Sequence, residues 1–129
     1  MKVKEAEDKE PVEGGTIYFA PPDHHLLVEK DKTLSLSRDE PVLYSRPSIN
    51  VLFETAADAY GSALIGVILT GANQDGADGI KAVAQFGGKA LVQRPAEAFA
   101  PAMPEASSAV CPNACLLSLD EIALYLQEV

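Results

Sequence analysis

Two aspartates, Asp75 and Asp78, stand in the segment LTGANQDGADG, residues 69–79, directly behind the apolar run Ala63-Leu64-Ile65-Gly66-Val67-Ile68. A carboxylate placed there has few chemical uses. It can hold a histidine in its working tautomer while that histidine activates a serine, as in a hydrolytic triad. It can ligate a cation in an acidic loop. It can also do no chemistry and cap the helix that follows, whose dipole favours negative charge at its start. The residue types leave capping and chemistry both open.

Other motifs are excluded by particular residues. A phosphate-cradling loop needs Gly-Lys-Ser/Thr after its spacer, but Gly76 is followed by Ala77. A dinucleotide fingerprint needs Gly-x-Gly-x-x-Gly, which does not occur. A calcium loop read from Asn73 needs a glutamate at its twelfth position, where Ala84 stands. A serine nucleophile on a strand-to-helix turn is expected within Gly-x-Ser-x-Gly, and no serine of the chain has that setting. If Asp75 belongs to a triad, its partners are not evident in these residues.

An acid at a strand end acquires meaning from the elements that place it. Ala63–Leu69 is apolar without alternation, as in a strand covered on both faces. Ser48 reads as a helix cap, with Ile49, Leu52, Phe53 and Ala56 on one helical face and Gly61 as the stop. A second helix is predicted over 76–86, with Ile80, Val83 and Ala84 inward, then a strand over 89–93. A short helix over 103–109 and a short strand over 114–117 follow. Ser118 and Glu121 form a capping box for a last helix whose buried face is Leu119, Ile122, Ala123 and Leu126. Upstream, residues 1–15 read as a polar lead-in loop and Thr16–Ala20 as a strand. Leu26–Lys30 and Thr33–Ser37 read as a β-hairpin. Strands alternating with helices build a parallel sheet through right-handed crossovers. In such sheets ligands and catalytic groups gather at the carboxyl ends of the strands, where residues 69–79 lie.

The 129 residues fit one domain, 1–129, and 47% are hydrophobic, enough for a core. A net charge of −9 argues against a nucleic-acid backbone or an anionic membrane as partner. Cys111 and Cys115 make neither a disulfide framework nor, with His24 and His25 distant in sequence, a metal site. No cofactor is expected. No apolar run is long enough to span a bilayer, and the charged start MKVKEAEDKE is not a signal peptide, so a cytoplasmic location without membrane insertion is expected.

Five stretches, in order, give the chain a family resemblance: GGTIYFAPPDHHLLVE, YSRPSINVLFETAADAYG, IGVILTGANQDGADGIKAV, GGKALVQRPAEAFAPAMPEAS and LSLDEIALYL. The sequence resembles the catalytic domain of the CheB-type protein-glutamate methylesterases of bacterial chemotaxis over almost all of residues 10–129. The resemblance implies a doubly wound α/β fold, a mainly parallel sheet with a β-hairpin. It also implies a Ser-His-Asp triad that hydrolyses glutamyl methyl esters on methylated chemoreceptors. Within the motif TG-x-x-x-D-G the family's aspartate falls on Asp75, and Gly71 and Ala72 fall in its oxyanion loop. Many members carry Met where Ala72 stands, which changes pocket shape but leaves a backbone donor available. His24, His25 and Arg46 fall in matching blocks as rim, packing or loop-bracing residues, with Arg46 also a candidate for binding a receptor carboxylate. The family's serine and histidine come earlier than any residue matched here. The expected fold is therefore incomplete, lacking N-terminal strands that sit in the family between the Ile17 and Val67 strands. The chain alone is expected to be inactive and to self-associate through exposed sheet edges. No receiver-domain sequence is present among these residues. The alternatives are a non-catalytic interaction module or a flavodoxin-like binder of a small molecule.

Overall fold

In the computed structural model, residues 1–43 and 45–129 are described; Tyr44, the first residue of the second matching stretch, lies outside them. The sequence-predicted α/β architecture, with a parallel sheet and a small hairpin, is borne out. Strand β1 (Lys2–Glu5) pairs parallel with β2 (Thr16–Phe19). Strands β3 (His25–Val28) and β4 (Leu34–Ser37) form the antiparallel hairpin. A parallel sheet in the order β5-β6-β7 takes in Ile65–Ile68, Lys89–Gln93 and Cys115–Leu117. Helices α1 (Ile49–Tyr60), α2 (Ala77–Gln85), α3 (Ala102–Val110) and α4 (Leu119–Gln127) complete the set.

Residues 1–15 are not a plain lead-in loop. Lys2 to Glu5 pairs in register with Thr16 to Phe19, and Ala6, which is buried, continues the ladder by donating to the Phe19 carbonyl at 2.9 Å. The strand was hidden in the sequence because Val3 is its one apolar residue, and Val3 is itself exposed. Backbone pairing, not side-chain burial, makes this element.

The main core lies on one face of the β5-β6-β7 sheet. Ile68, Ala90 and Val92 meet Ile80 and Val83 of α2, Met103 of α3 and Ala57 of α1 there. Gly66 admits this layer: a Cβ at that position would stand 3.0 Å from Ile80, 3.1 Å from Val83 and 3.3 Å from Phe53. A second cluster joins Leu26, Val28 and Leu34 of the hairpin to Ala56 of α1.

The other sheet face is covered less than predicted. There α4 seats Ile122 against β6 and β7, but Leu119, Ala123 and Leu126 are exposed, Leu119 by 54%. Periodicity marks an apolar stripe correctly; it does not say whether anything covers the stripe. Among the described residues β5 pairs only with β6, and β2 only with β1, so each keeps one edge without a strand. Ile17 and Phe19 on β2 are also about half exposed.

Candidate active site

The segment after β5 is fastened at both flanks and open in the middle. On the first flank, Thr70 Oγ1 accepts from the Ala100 amide at 2.7 Å, and the Gly71 amide donates to the Ala100 carbonyl at 2.9 Å. The Thr70 amide donates to Gln93 Oε1 at 2.9 Å, from the carboxyl end of β6. Met103 packs so closely on Gly71 that an added Cβ would come within 2.5 Å of its methyl group. A glycine lets Met103 sit this close; any Cβ here would require the Met103 side chain to move.

On the second flank stands Asp75, 7% exposed. Its carboxylate does not cap α2, the helix that follows it. It reaches across to α1, where Oδ1 accepts from Ser48 Oγ at 2.8 Å and from the Asn50 amide at 3.2 Å, while Oδ2 accepts from the Ile49 amide at 2.7 Å. These are the first free amides of a helix, where anionic oxygen is favoured by both hydrogen bonding and the dipole. Asn73 Oδ1 accepts from the Asp75 amide at 2.8 Å and folds the turn beneath it. The start of α2 is served from α1 in return: Asn50 Oδ1 accepts from the amides of Gly76 and Gly79, each at 2.8 Å. Gly76 holds a φ of 104°, which a side chain would strain. Asp78 lies in the first turn of α2, exposed, and is not part of this arrangement.

Between the flanks, Ala72, Asn73 and Gln74 are exposed, and their backbone amides have no acceptor among the described residues. The two oxyanion candidates therefore differ. The Gly71 amide is committed to Ala100, and the Ala72 amide has no acceptor among the described residues.

His25 is the third member of the buried network. It is 1% exposed, an interior residue; of the two roles expected for it, rim and packing, this agrees with packing. Its Nδ1 accepts from the Ser48 amide at 3.2 Å and its Nε2 donates to the Glu40 carbonyl at 3.0 Å. Ser48, His25 and Asp75 thus meet without forming a triad. The ring holds the serine's backbone, both ring nitrogens are occupied, and Ser48 Oγ, itself buried, gives its proton to Asp75. His24 is half-buried, and its Nδ1 donates to the Pro22 carbonyl at 2.8 Å. Arg46 braces a loop: its guanidinium lies 2.8 Å from Asp23 Oδ1 and donates to the carbonyls of Arg38 and Asp39. Arg46 first, then Arg38, holds the Asp23 carboxyl below its usual range.

Ser48 was read from the sequence as a cap, but Asn50, Asn73 and Gln93 were not singled out. The one available signal was Asn50 itself, an amide with poor helix propensity in the first turn of an otherwise strong helix.

An α/β domain with an inward carboxylate and open amides at the carboxyl end of a parallel sheet has the layout of a ligand-binding or catalytic site. The comparisons give that class its family. The CheB methylesterase family model matches residues 1–126, and the chain belongs to that family. A relative from Leptospira interrogans serovar copenhageni is 53% identical over 123 residues, 95% of this chain and 64% of that protein. The protein-glutamate methylesterase/protein-glutamine glutaminase 1 of Rhodospirillum rubrum is 38% identical over 125 residues, 95% of this chain and 32% of that one. The crystal structure of the Thermotoga maritima CheB methylesterase catalytic domain superposes with a TM-score of 0.88 at 30% identity, over 96% of this chain and 67% of that one. The chain thus spans somewhat under two thirds of the length of the Leptospira relative. No helix among the described residues is long and apolar enough to cross a membrane.

Proposed function

We propose that this chain is the aspartate-bearing part of a protein-glutamate methylesterase, and that Asp75 orients the histidine of a Ser-His-Asp triad. A carboxylate has about four acceptor directions. Three of those on Asp75 are filled by the start of α1, and one on Oδ2 is left for an imidazole N–H. That single remaining direction, on a carboxylate held rigid at the sheet's carboxyl end, carries the proposal.

The serine and histidine come from polypeptide outside these 129 residues. Serine attacks the γ-carbonyl of a methylated glutamate on a chemoreceptor, and histidine takes the serine proton and passes it to departing methanol. Water, activated by the same histidine, then releases the free carboxylate. The Ala72 amide is the oxyanion donor on this side of the site, since it points to no acceptor of its own. The names of relatives such as the Rhodospirillum protein pair this hydrolysis with a glutaminase activity. Both reactions break a bond at the same γ-carbonyl, so one triad serves both, with ammonia leaving in place of methanol.

The free edges of β2 and β5 and the exposed face of α4 are where the additional polypeptide docks, and in its absence they pair with other copies. The test is methanol release from a glutamyl-methyl-ester receptor fragment. None is expected from the 129-residue chain alone. Release is expected when it is co-folded with the unmatched third of the Leptospira relative. Hydrolysis by the 129 residues alone would overturn this division of the triad.

A further inference from the structure

Beside the loop that carries Asp75, a cleft of about 430 Å³ opens between α1, α2, α3 and the turn at 42–43. Its walls are apolar, built by Leu43, Ala106 and Val110, and its polar groups are Asn50, Gln74 and Asp78. We propose that this cleft is a specificity subsite that takes a lysine or arginine side chain of a polypeptide substrate. The placement beside Asp75 rests on the function proposed above; the binding itself does not.

The charge pattern supports this occupant. Asp78 has no cationic partner within 4.0 Å among the described residues. A second carboxylate, Glu54 of α1, lies near enough to feel it: partial burial, then the Asp78 charge, pushes the Glu54 carboxyl up. Glu54 does not line the cleft, but its charge, that of Asp78 on the lining and the net charge of −9 together favour a basic group there.

The shape supports it too. Lysine and arginine carry long aliphatic stems that cover apolar surface while the charged head stays polar. The Leu43, Ala106 and Val110 walls suit such a stem, and Asp78 suits its head. Asn50 adds a backbone contact. Its Oδ1 is spent on Gly76 and Gly79, which leaves its NH₂ to donate to a peptide carbonyl. The volume is that of a side-chain site, within the ordinary size range for ligand pockets. Gln74 lines the cleft and Asp75 follows it directly, so a polypeptide seated here runs past the candidate catalytic acid.

The experiment is an amide-resolved NMR titration of the 129-residue chain with N-acetyl-arginine methylamide and with the uncharged isostere N-acetyl-citrulline methylamide. The arginine probe is expected to shift the amides of Gln74, Asp78 and Ala106, and to bind about fivefold more tightly than the citrulline probe, the size of one partly exposed charge pair. Asp78→Asn is expected to reduce arginine binding to the citrulline level. Ala109→Lys, which brings a competing cation to an exposed position on the same wall, is expected to do likewise. Equal binding of both probes, shifts centred elsewhere, or indifference to both substitutions would overturn the subsite. The readout needs no catalysis, so it is decided separately from the esterase assay. In the reconstituted esterase, Asp78→Asn raises KM for a basic substrate and leaves kcat unchanged if the subsite holds.

Discussion

Asp75 and Asn50 each cap the helix that the other belongs to or precedes. Asp75, just ahead of α2, takes the Ile49 and Asn50 amides and the Ser48 hydroxyl at the start of α1. Asn50, in the first turn of α1, takes the Gly76 and Gly79 amides at the start of α2. Both helix starts are therefore fixed by one exchange, and the carboxylate position is set by the crossing of two helices.

Reciprocal capping makes the two side chains energetically dependent. Asp75→Asn and Asn50→Ala are each expected to cost about 1–3 kcal/mol, the penalty for buried donors left without partners. Denaturant unfolding of both single variants and the double variant should give a coupling of about 0.5–3 kcal/mol. Strict additivity would mean that the two caps act independently.

Gly79 is where α1 and α2 touch. A Cβ there would stand 2.8 Å from Phe53 Cβ and 3.1 Å from Asn50 Cα, atoms that no rotamer change can move away. Gly79→Ala sets a helix-propensity gain of about 1 kcal/mol against overpacking of about 1–3 kcal/mol. The clash wins, so the variant unfolds at lower denaturant concentration. A stabilised variant would show that the helices can separate freely.

The Asp23–Arg46 brace has a defined response to acid. Asp23 carries a lowered folded-state carboxyl pKa, with the Arg46 hydrogen bond as the main cause. Its stabilising contribution is present above its ordinary value of 3.8 and is lost as pH falls through the lower, folded value. By carbon-detected NMR the Asp23 carboxyl should therefore titrate below its ordinary value of 3.8, and in Arg46→Ala its titration should move back up toward that value. An unmoved Asp23 titration in Arg46→Ala would contradict the bracing role.

Exposed edges and an exposed helix face should drive association. Light scattering of the purified chain is expected to give a mass above 13.7 kDa that rises with concentration. Ile17→Lys, which places a charge on the half-exposed β2, should shift the distribution toward monomer. A monomer at high concentration would contradict this use of the edges.

Much of this was legible in the sequence, for identifiable reasons. Gly61, the Ser48 cap, the Ser118–Glu121 box and Lys89–Gln93 were read correctly because each rests on local chemistry that needs no distant partner. What escaped depends on chain segments far apart. Asp75 looked like a cap for the helix next to it, and nothing in the spacing says that its carboxylate crosses to a helix start some 26 residues away. The sequence left His25 between rim and packing roles because its burial depends on Ser48 and Glu40, both distant in sequence. Leu119 and Leu126 have the right period for burial, but burial also needs a covering element, which periodicity cannot supply.

The most direct measurement is the kinetics of Asp75→Asn in the chain co-folded with the unmatched third of the Leptospira relative, with its fold checked by circular dichroism. If Asp75 holds the triad's imidazole, kcat for glutamyl methyl ester hydrolysis falls by about 10⁴-fold, the loss expected from the wrong tautomer, while KM hardly changes. A folded Asp75→Asn assembly that keeps the parent kcat would contradict the assignment and leave Asp75 as a helix cap alone.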